Sequence, residues 1–312
     1  MKDEYKTMKS LKIPGDWSDR GTVCCFKAAS ALFNLLPTTE AYKLGHQLAR
    51  LWLTFDRGHR RIIEKNLDLA LQIKPGSSQA EQLRAEITQH LGYNLCEFFL
   101  LQSPACRRLL KINLQITGLE HLLKAQNEGS GAIIVSAHLG NWELAGFLST
   151  LMQKPIATVA KPVKGKPRLY QAIEKSRKEV GFTPVNKSGS AGTLVRNLKK
   201  GDIIALLVDQ RVRRRLRIWS PFFGHQVPTI PSPAILARLS GSPIIPAFTT
   251  RIRPLHHQIV IEEPIFVPRS GDSREVVADY TQRINLLMEK HIRETPAQWF
   301  WPHDRWRRIN SD

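Results

Sequence analysis

The spacing of apolar residues changes once along the chain, near residue 110. Across residues 21–110, leucine, isoleucine, alanine and phenylalanine recur at three- and four-residue intervals. Breaks fall at Pro37, at Arg57-Gly58, at Pro75-Gly76 and at Pro104, so the pattern predicts four amphipathic helices. Beyond that point short β-branched runs alternate with helical stretches, the signature of an α/β unit. Strands are expected at the start of 114–124, at 132–135, 155–160, 182–185 and 202–208, and helices at 168–180 and 273–294. Segments 243–252 and 258–265 read as an antiparallel or edge pair, and Pro231 with Pro233 marks a helix start running to Ser240. The expected fold class is α/β, a mixed and mostly parallel sheet flanked by helices, with an N-terminal amphipathic helical region. The divisions are a polar tail at 1–20, a helical region at 21–110 and an α/β domain at 111–312.

One stretch organises the α/β part: residues 131–146, GAIIVSAHLGNWELAG. Its β-branched run suits a strand buried on both faces of a parallel sheet. His138 then leaves the strand at its carboxyl end, the edge where ligands and chemistry collect in open α/β sheets. Asn141 is the expected N-cap of a helix through Trp142, Glu143, Leu144 and Phe147, which puts His138 and Glu143 on one loop-to-helix turn. A carboxylate there would accept the proton of one imidazole nitrogen, fix the tautomer and raise the basicity of the other. Ser136 has no GxSxG elbow and the segment has no cysteine, so a hydroxyl brought by a substrate is the natural target.

Further chemistry gathers at later strand ends. Lys161 closes the 155–160 strand, and Asp209-Gln210 closes the 202–208 strand, where an aspartate is also a common former of local turns. Arg211, Arg213, Arg214, Arg215 and Arg217 follow within seven residues, ahead of Trp219. In a parallel sheet this cationic loop shares an edge with His138 and Lys161, fitted to hold phosphates or an acidic protein face.

Charge and cysteine content narrow the partners. Lysine and arginine number 46 against 27 acids, for a net charge of +19 and a pI near 10.1, so partners should be anionic. The four cysteines show neither metal-ligand spacing nor disulfide density, which points to a reducing cytosolic face. No signal peptide pattern opens the chain. The apolar run 23–36 holds Lys27 and Asn34 and falls short of the roughly 20 residues of a spanning helix, so interfacial lodging is expected. The loop KSGSAG at 187–192 lacks the P-loop order, so NTP hydrolysis is unsupported, and the chemistry calls for no metal and no cofactor.

The filled motif HLGNWE, from His138 to Glu143, resembles the HX4E variant of the HX4D/E signature of the glycerolipid acyltransferase superfamily, in the form of the late acyltransferases of lipid A biosynthesis. RRIIEKNLDLAL resembles that family's "RRNL" helix, although a solvated face with a core stripe accounts for Arg61 and Asn66 equally simply. LQITGLEHLLK is similar to its lead-in, and AKP at Lys161 keeps the cation of a "Y-R-P" pattern without the arginine fork. The Asp209-Gln210 ending, the PFFG turn with Phe222 and Phe223 as apolar lining, and the tail QWFWPHDRW complete the likeness, with Asp304 replacing a usual basic residue. Trp299, Trp301 and Trp306 would either pack on the sheet or sit at lipid headgroups.

The resemblance covers residues 22–308 and implies an O-acyltransferase. It implies His138 as general base held by Glu143, with Asn141, Lys161, Asp209, Gln210, Arg211, Arg213 and Arg214 binding substrates. It further implies acyl carrier protein as donor, an anionic lipid A precursor as acceptor, and the cytoplasmic face of a bacterial inner membrane as location. A lysophospholipid or other hydroxylated lipid is the alternative acceptor. A basic nucleic-acid binder is the competing class, opposed by the lack of any recognisable binding module.

Overall fold

The protein is described here by a computed structural model covering residues 17–159, 163, 165–185, 191–212 and 217–307. Its helical first third comprises α1 (Trp17–Leu35), α2 (Thr38–Phe55), α3 (Arg57–Leu71), α4 (Ser78–Leu100) and α5 (Pro104–Ile112). The breaks fall where the sequence places them. Asp56 caps α3 by accepting from the His59 amide, and Ser77 caps α4 by accepting from the Ala80 amide. The fifth helix straddles the expected boundary at residue 110.

The alternating part follows as β1 (Leu114–Thr117), α6 (Leu119–Asn127), β2 (Ala132–Ser136), α7 (Leu148–Leu151), β3 (Ile156–Thr158), α8 (Pro167–Val180), β4 (Phe182–Pro184), α9 (Ala191–Lys199) and β5 (Ile203–Leu207). Then come β6 (Ile218–Phe222), β7 (His225–Thr229), α10 (Ser232–Ser240), β8 (Ile244–Arg253), β9 (His256–Ile261) and α11 (Ser273–Glu294). The seven-stranded sheet has the order β1-β9-β8-β2-β5-β3-β4. It is parallel throughout except between β8 and β9, the pair expected to be antiparallel. Helices cover both faces. Ile133, Val135, Ile204 and Phe248 face α3, α4, α11 and the C-terminal tryptophans, while Ala132, Ile134, Ile203 and Ile245 face α6 and α7. Full burial of one such isoleucine contributes about 1.5–3 kcal/mol.

One feature departs from the sequence reading and another decides between its two alternatives. Strands β6 and β7 form a separate antiparallel hairpin, hidden in the sequence because each carries a proline, Pro221 and Pro228. PFFG is its turn: Phe223 and Gly224 both have positive φ, 50° and 75°, the signature of a tight two-residue loop. The tryptophans Trp299, Trp301 and Trp306 are 2%, 0% and 8% exposed, so they belong to the core rather than to a headgroup layer.

The helical region and the sheet are joined by buried charge. Glu97 of α4 and Arg251 of β8 are 0% and 4% exposed. Arg251 donates from Nε to Glu97 Oε1 at 3.0 Å and from Nη2 to Oε2 at 2.7 Å. The Tyr42 hydroxyl of α2 and His257 Nε2 of β9 donate to the same Oε1, and Arg251 also reaches Asn94 and His90 Nδ1. Burial would raise the Glu97 carboxyl above its ordinary value, yet Arg251 and His257 hold it below. Its stabilisation is therefore complete above the ordinary carboxylate range and fades as the pH falls towards the lowered value.

Replacing Arg251 with Met should lower the unfolding free energy by about 3–5 kcal/mol, since it strands a buried carboxylate. Denaturant titration measures it, and a loss below about 1 kcal/mol would mean that Glu97 finds other compensation.

Candidate active site

Parallel register builds the centre of the site. Ser136, the last residue of β2, pairs with Leu207, the last of β5, and the Val208 amide continues the ladder to the Ser136 carbonyl. Two residues further on each strand, His138 and Asp209 leave the sheet side by side. His138 Nδ1 lies 2.7 Å from Asp209 Oδ1, and the His138 backbone amide donates to Asp209 Oδ2 at 3.0 Å. Trp299 Nε1 donates to that same Oδ2 at 2.8 Å.

Asp209 is 1% exposed. Burial pushes its carboxyl up, but His138 and the hydrogen bonds from His138 and Trp299 hold it down to about 2. An ionised carboxylate only accepts, so the Nδ1 of His138 carries the proton and Nε2 presents its lone pair. The Gln210 amide nitrogen stands 3.4 Å from that Nε2. Trp142 and Phe300 flank the ring at centroid distances of 4.8 and 6.3 Å, leaving 18% of the imidazole side chain open.

The loop carrying His138 is held from behind by the tail. Phe300 donates its amide to the His138 carbonyl, Gly140 donates to the Gln298 carbonyl, and Leu139 bridges Trp299 in antiparallel fashion. Gly140 has φ 55°, and a Cβ there would stand 2.3 Å from the Thr249 carbonyl oxygen, so only glycine lets the loop lie this close to β8.

The expected partner of His138 is corrected by this geometry. The Glu143 carboxylate is taken by Arg177 of α8, whose Nε lies 3.1 and 3.0 Å from its two oxygens and whose Nη2 also donates. Residues 142–147 form a 3-10 turn rather than the start of an α-helix. Asn141 makes no cap; its Nδ2 donates to Glu97 Oε2 at 2.8 Å, and it is 5% exposed. Asn141 thus ties the loop to the buried charge network.

Gln210 and Arg211 lie at the same sheet edge as His138, and the Arg211 amide donates to His303 Nε2 at 2.9 Å. Lys161, Arg213 and Arg214 lie outside the described residues. Phe222 and Phe223 pack against Trp306 in the core and do not line the site. Asn66 is buried and donates to the carbonyls of Trp301 and His303, so it neither faces solvent nor touches the imidazole. Two surface hollows of about 460 and 310 Å³ share Pro264 and Phe266. They lie by Pro243 at the amino end of β8, across the sheet from the chemistry. Among the described residues no group of three or more His, Cys, Asp or Glu side chains is placed to hold a metal ion.

Sequence reasoning missed Trp299 as a donor to Asp209, and it missed Glu97. A glutamate inside the apolar run NLCEFFL was the available signal for a buried carboxylate.

A histidine oriented by a buried aspartate at the carboxyl edge of an α/β sheet, with its second nitrogen beside the Gln210 amide, has the form of an imidazole fitted to accept a proton. Comparison with known proteins gives the particular family. The family described as "Bacterial lipid A biosynthesis acyltransferase" matches residues 8–308, and the chain belongs to it. It is 26% identical over 277 residues to a lipid A biosynthesis lauroyltransferase of Escherichia coli (strain K12), covering 87% of each chain. It is 25% identical over 277 residues to a lipid A biosynthesis palmitoleoyltransferase of the same strain, covering 87% of this chain and 86% of the other. It is 27% identical over 250 residues to a phosphatidylinositol mannoside acyltransferase of Mycobacterium tuberculosis (strain CDC 1551 / Oshkosh), covering 78% of this chain and 76% of that one. The protein is an O-acyltransferase acting on lipids.

Asp209→Asn should preserve the fold but present an amide N–H to Nδ1, favouring the opposite tautomer. Acyl transfer should fall by about 10²- to 10⁴-fold, measured as kcat at the pH optimum. The lowered acidity of Asp209 also fixes a sign: wild-type stability from this group is complete above its ordinary value of 3.8 and is lost as pH falls through about 2. Urea unfolding of Asp209→Asn should lack that share of the acid sensitivity.

Proposed function

We propose that the protein moves a fatty acyl chain from an acyl carrier protein thioester to a hydroxyl of a lipid A precursor, with His138 as general base. The observation that carries this reading is the pairing of His138 Nδ1 with the buried Asp209, which leaves Nε2, beside the Gln210 amide, as the accepting nitrogen of a partly exposed ring. The acceptor O–H gives its proton to Nε2 as its oxygen attacks the thioester carbonyl. The tetrahedral intermediate collapses by breaking the C–S bond, and the imidazolium returns the proton to the departing thiolate. Gln210, beside Nε2, steers the acceptor hydroxyl. Glu143 acts through Arg177 by holding α8 against the loop that bears the base.

Charge supports the assignment of partners. A net charge of +19 favours an acidic carrier and a phosphorylated acceptor, with Arg211, Arg213, Arg214 and Lys161 as the nearest cations in sequence to the strand ends. The exposed face of α2 supports a membrane-surface location. Leu48, Leu51, Trp52 and Phe55 fall at helical spacing on a stripe that borders its buried Ala41, Gly45, Ala49 and Leu53, and Phe55 is 78% exposed. Leu32 and Leu35 of α1 are exposed as well. The proposed location is the cytoplasmic face of a bacterial inner membrane; no helix among the described residues is long and apolar enough to cross a membrane. The phosphatidylinositol mannoside acyltransferases among its relatives favour a second acceptor class, another hydroxylated glycolipid or lysophospholipid.

The test is incubation of the purified protein with labelled acyl carrier thioesters and a lipid A precursor, with products identified by mass spectrometry. Acylated precursor is expected. Transfer to another lipid hydroxyl with none to the precursor would replace the acceptor. His138→Ala should reduce the rate by about 10²- to 10⁴-fold, and retention of more than about a tenth of it would remove the base from the mechanism. Phe55→Asp together with Leu51→Asp should reduce co-flotation with anionic vesicles at unchanged secondary structure; undiminished flotation would place the membrane contact elsewhere.

A further inference from the structure

The C-terminal tail brings a second charged group to the site, and no acid among the described residues forms an ion pair with it. Arg305 is 0% exposed and has no carboxylate within ion-pair distance among the described residues. Its Nη1 donates to the Pro228 carbonyl at 2.7 Å, and its Nη2 donates to Thr229 Oγ1 at 2.8 Å. Nη1 also reaches the Gln210 carbonyl at 3.4 Å, and the guanidinium carbon lies 5.3 Å from the Phe222 ring centroid. Nε has no partner among the described residues. Every acceptor is neutral, and removing a guanidinium from water without a counter-ion costs several kcal/mol. Surface packing alone gives no reason to keep a charge there.

What lies beside this charge is the catalytic corner. Gln210, whose carbonyl Arg305 reaches, is the residue after Asp209. We infer that Arg305 is a positioning residue of the catalytic pair: it fastens the Asp209-Gln210 strand end to the end of β7, and its uncompensated charge favours carboxylate at Asp209 and neutral imidazole at His138. The inference rests on the reading of His138 and Asp209 as base and orienting acid.

The groups facing Asp209 can be taken element by element. His138 approaches from the loop after β2, and His303 and Arg305 from the tail, with Arg211 of the loop after β5 beside His303. His303 is pushed down to about 4, chiefly by burial, so it is neutral near pH 7 and accepts from the Arg211 amide. Burial lowers Arg305 to about 10 against the opposing pull of Asp209, which leaves it fully charged. Arg305 is therefore a fixed buried cation on the tail side of the pair. The Asp209 carboxylate stays ionised wherever an imidazole titrates, so removing Arg305 acts on His138 by relieving the imidazolium of a like charge, which raises the pH at which the second proton is gained.

The experiment is a titration of the His138 imidazole by NMR on histidine-labelled protein, alongside the pH dependence of kcat/KM, for wild type, Arg305→Gln and Arg305→Lys. Arg305→Gln should raise the His138 midpoint and the acidic limb together by about one pH unit, at an undiminished fold by circular dichroism. Arg305→Lys, which keeps the charge and loses the fork, should hold both within about 0.2 units of wild type while lowering kcat. An Arg305→Gln midpoint equal to that of wild type overturns the inference, whatever happens to the rate. If Arg305→Gln does not fold, Arg305→Lys decides: an unmoved midpoint supports the role, and a rise of about half a unit or more overturns it. Activity retained in His138→Ala would sink the general-base reading instead, and the NMR midpoint would still report on Arg305.

Discussion

The pairing of β2 with β5 in parallel, ending in step at Ser136 and Leu207, is the constraint from which the site follows. In parallel strands residues the same number of steps past a shared end emerge together at the carboxyl edge. That places an imidazole against a carboxylate with no further device, and the backbone amide of His138 closes a second bond to the same acid. A one-residue slip would turn His138 away from Asp209 and turn the apolar faces of both strands as well. The hydrophobic layers on the two sides of the sheet therefore enforce the register that the chemistry needs.

Register alone leaves the loop after β2 free to move, and two other parts of the chain fix it. The helical region contributes Glu97, which holds Asn141 and is itself held by Arg251. The tail contributes Trp299 to the acid, Phe300 to the His138 carbonyl and Gln298 to Gly140. Gln298 also exchanges bonds with the Arg251 backbone, so the tail and the buried ion pair meet at one residue of β8. Elements distant in sequence thus converge on four consecutive loop residues, 138–141. This explains why α3 and α4 share a core with the sheet rather than forming a loosely attached appendage.

Much of this was legible in the sequence, and the failures have physical causes. The α/β alternation, α11 and the helix breaks were readable because apolar period and capping residues act locally. The placement of His138 and Asp209 at strand ends was readable because both follow apolar runs. Their contact was not, since it depends on which strands are neighbours, and β2 and β5 are separated by two other strands in the chain. Glu143 was the plausible partner by proximity along the sequence; Arg177 captured it because a planar fork offers a carboxylate more than an imidazole does. The β6–β7 hairpin was missed because prolines at 221 and 228 argue against strands, and an isolated two-stranded ribbon tolerates them.

The arrangement separates two electrostatic tasks. Around the imidazole lie buried charges: Asp209 at 1% exposure, Arg305 at 0%, and Glu97 with Arg251 one layer further back. Such groups need no reorganisation as charge develops on the ring, which is where preorganised electrostatics contribute most to a rate. The excess cations, by contrast, lie mainly on the exterior, where water and salt screen them and each contributes little to stability. A screened, mobile positive surface suits capture of differently shaped anionic partners, while a dry interior suits one proton transfer repeated without variation. On the proposed reading, in which the imidazole nitrogen beside Gln210 takes the proton of the delivered hydroxyl, selection among acceptors falls to the outer surface and the choice of chemistry to the core.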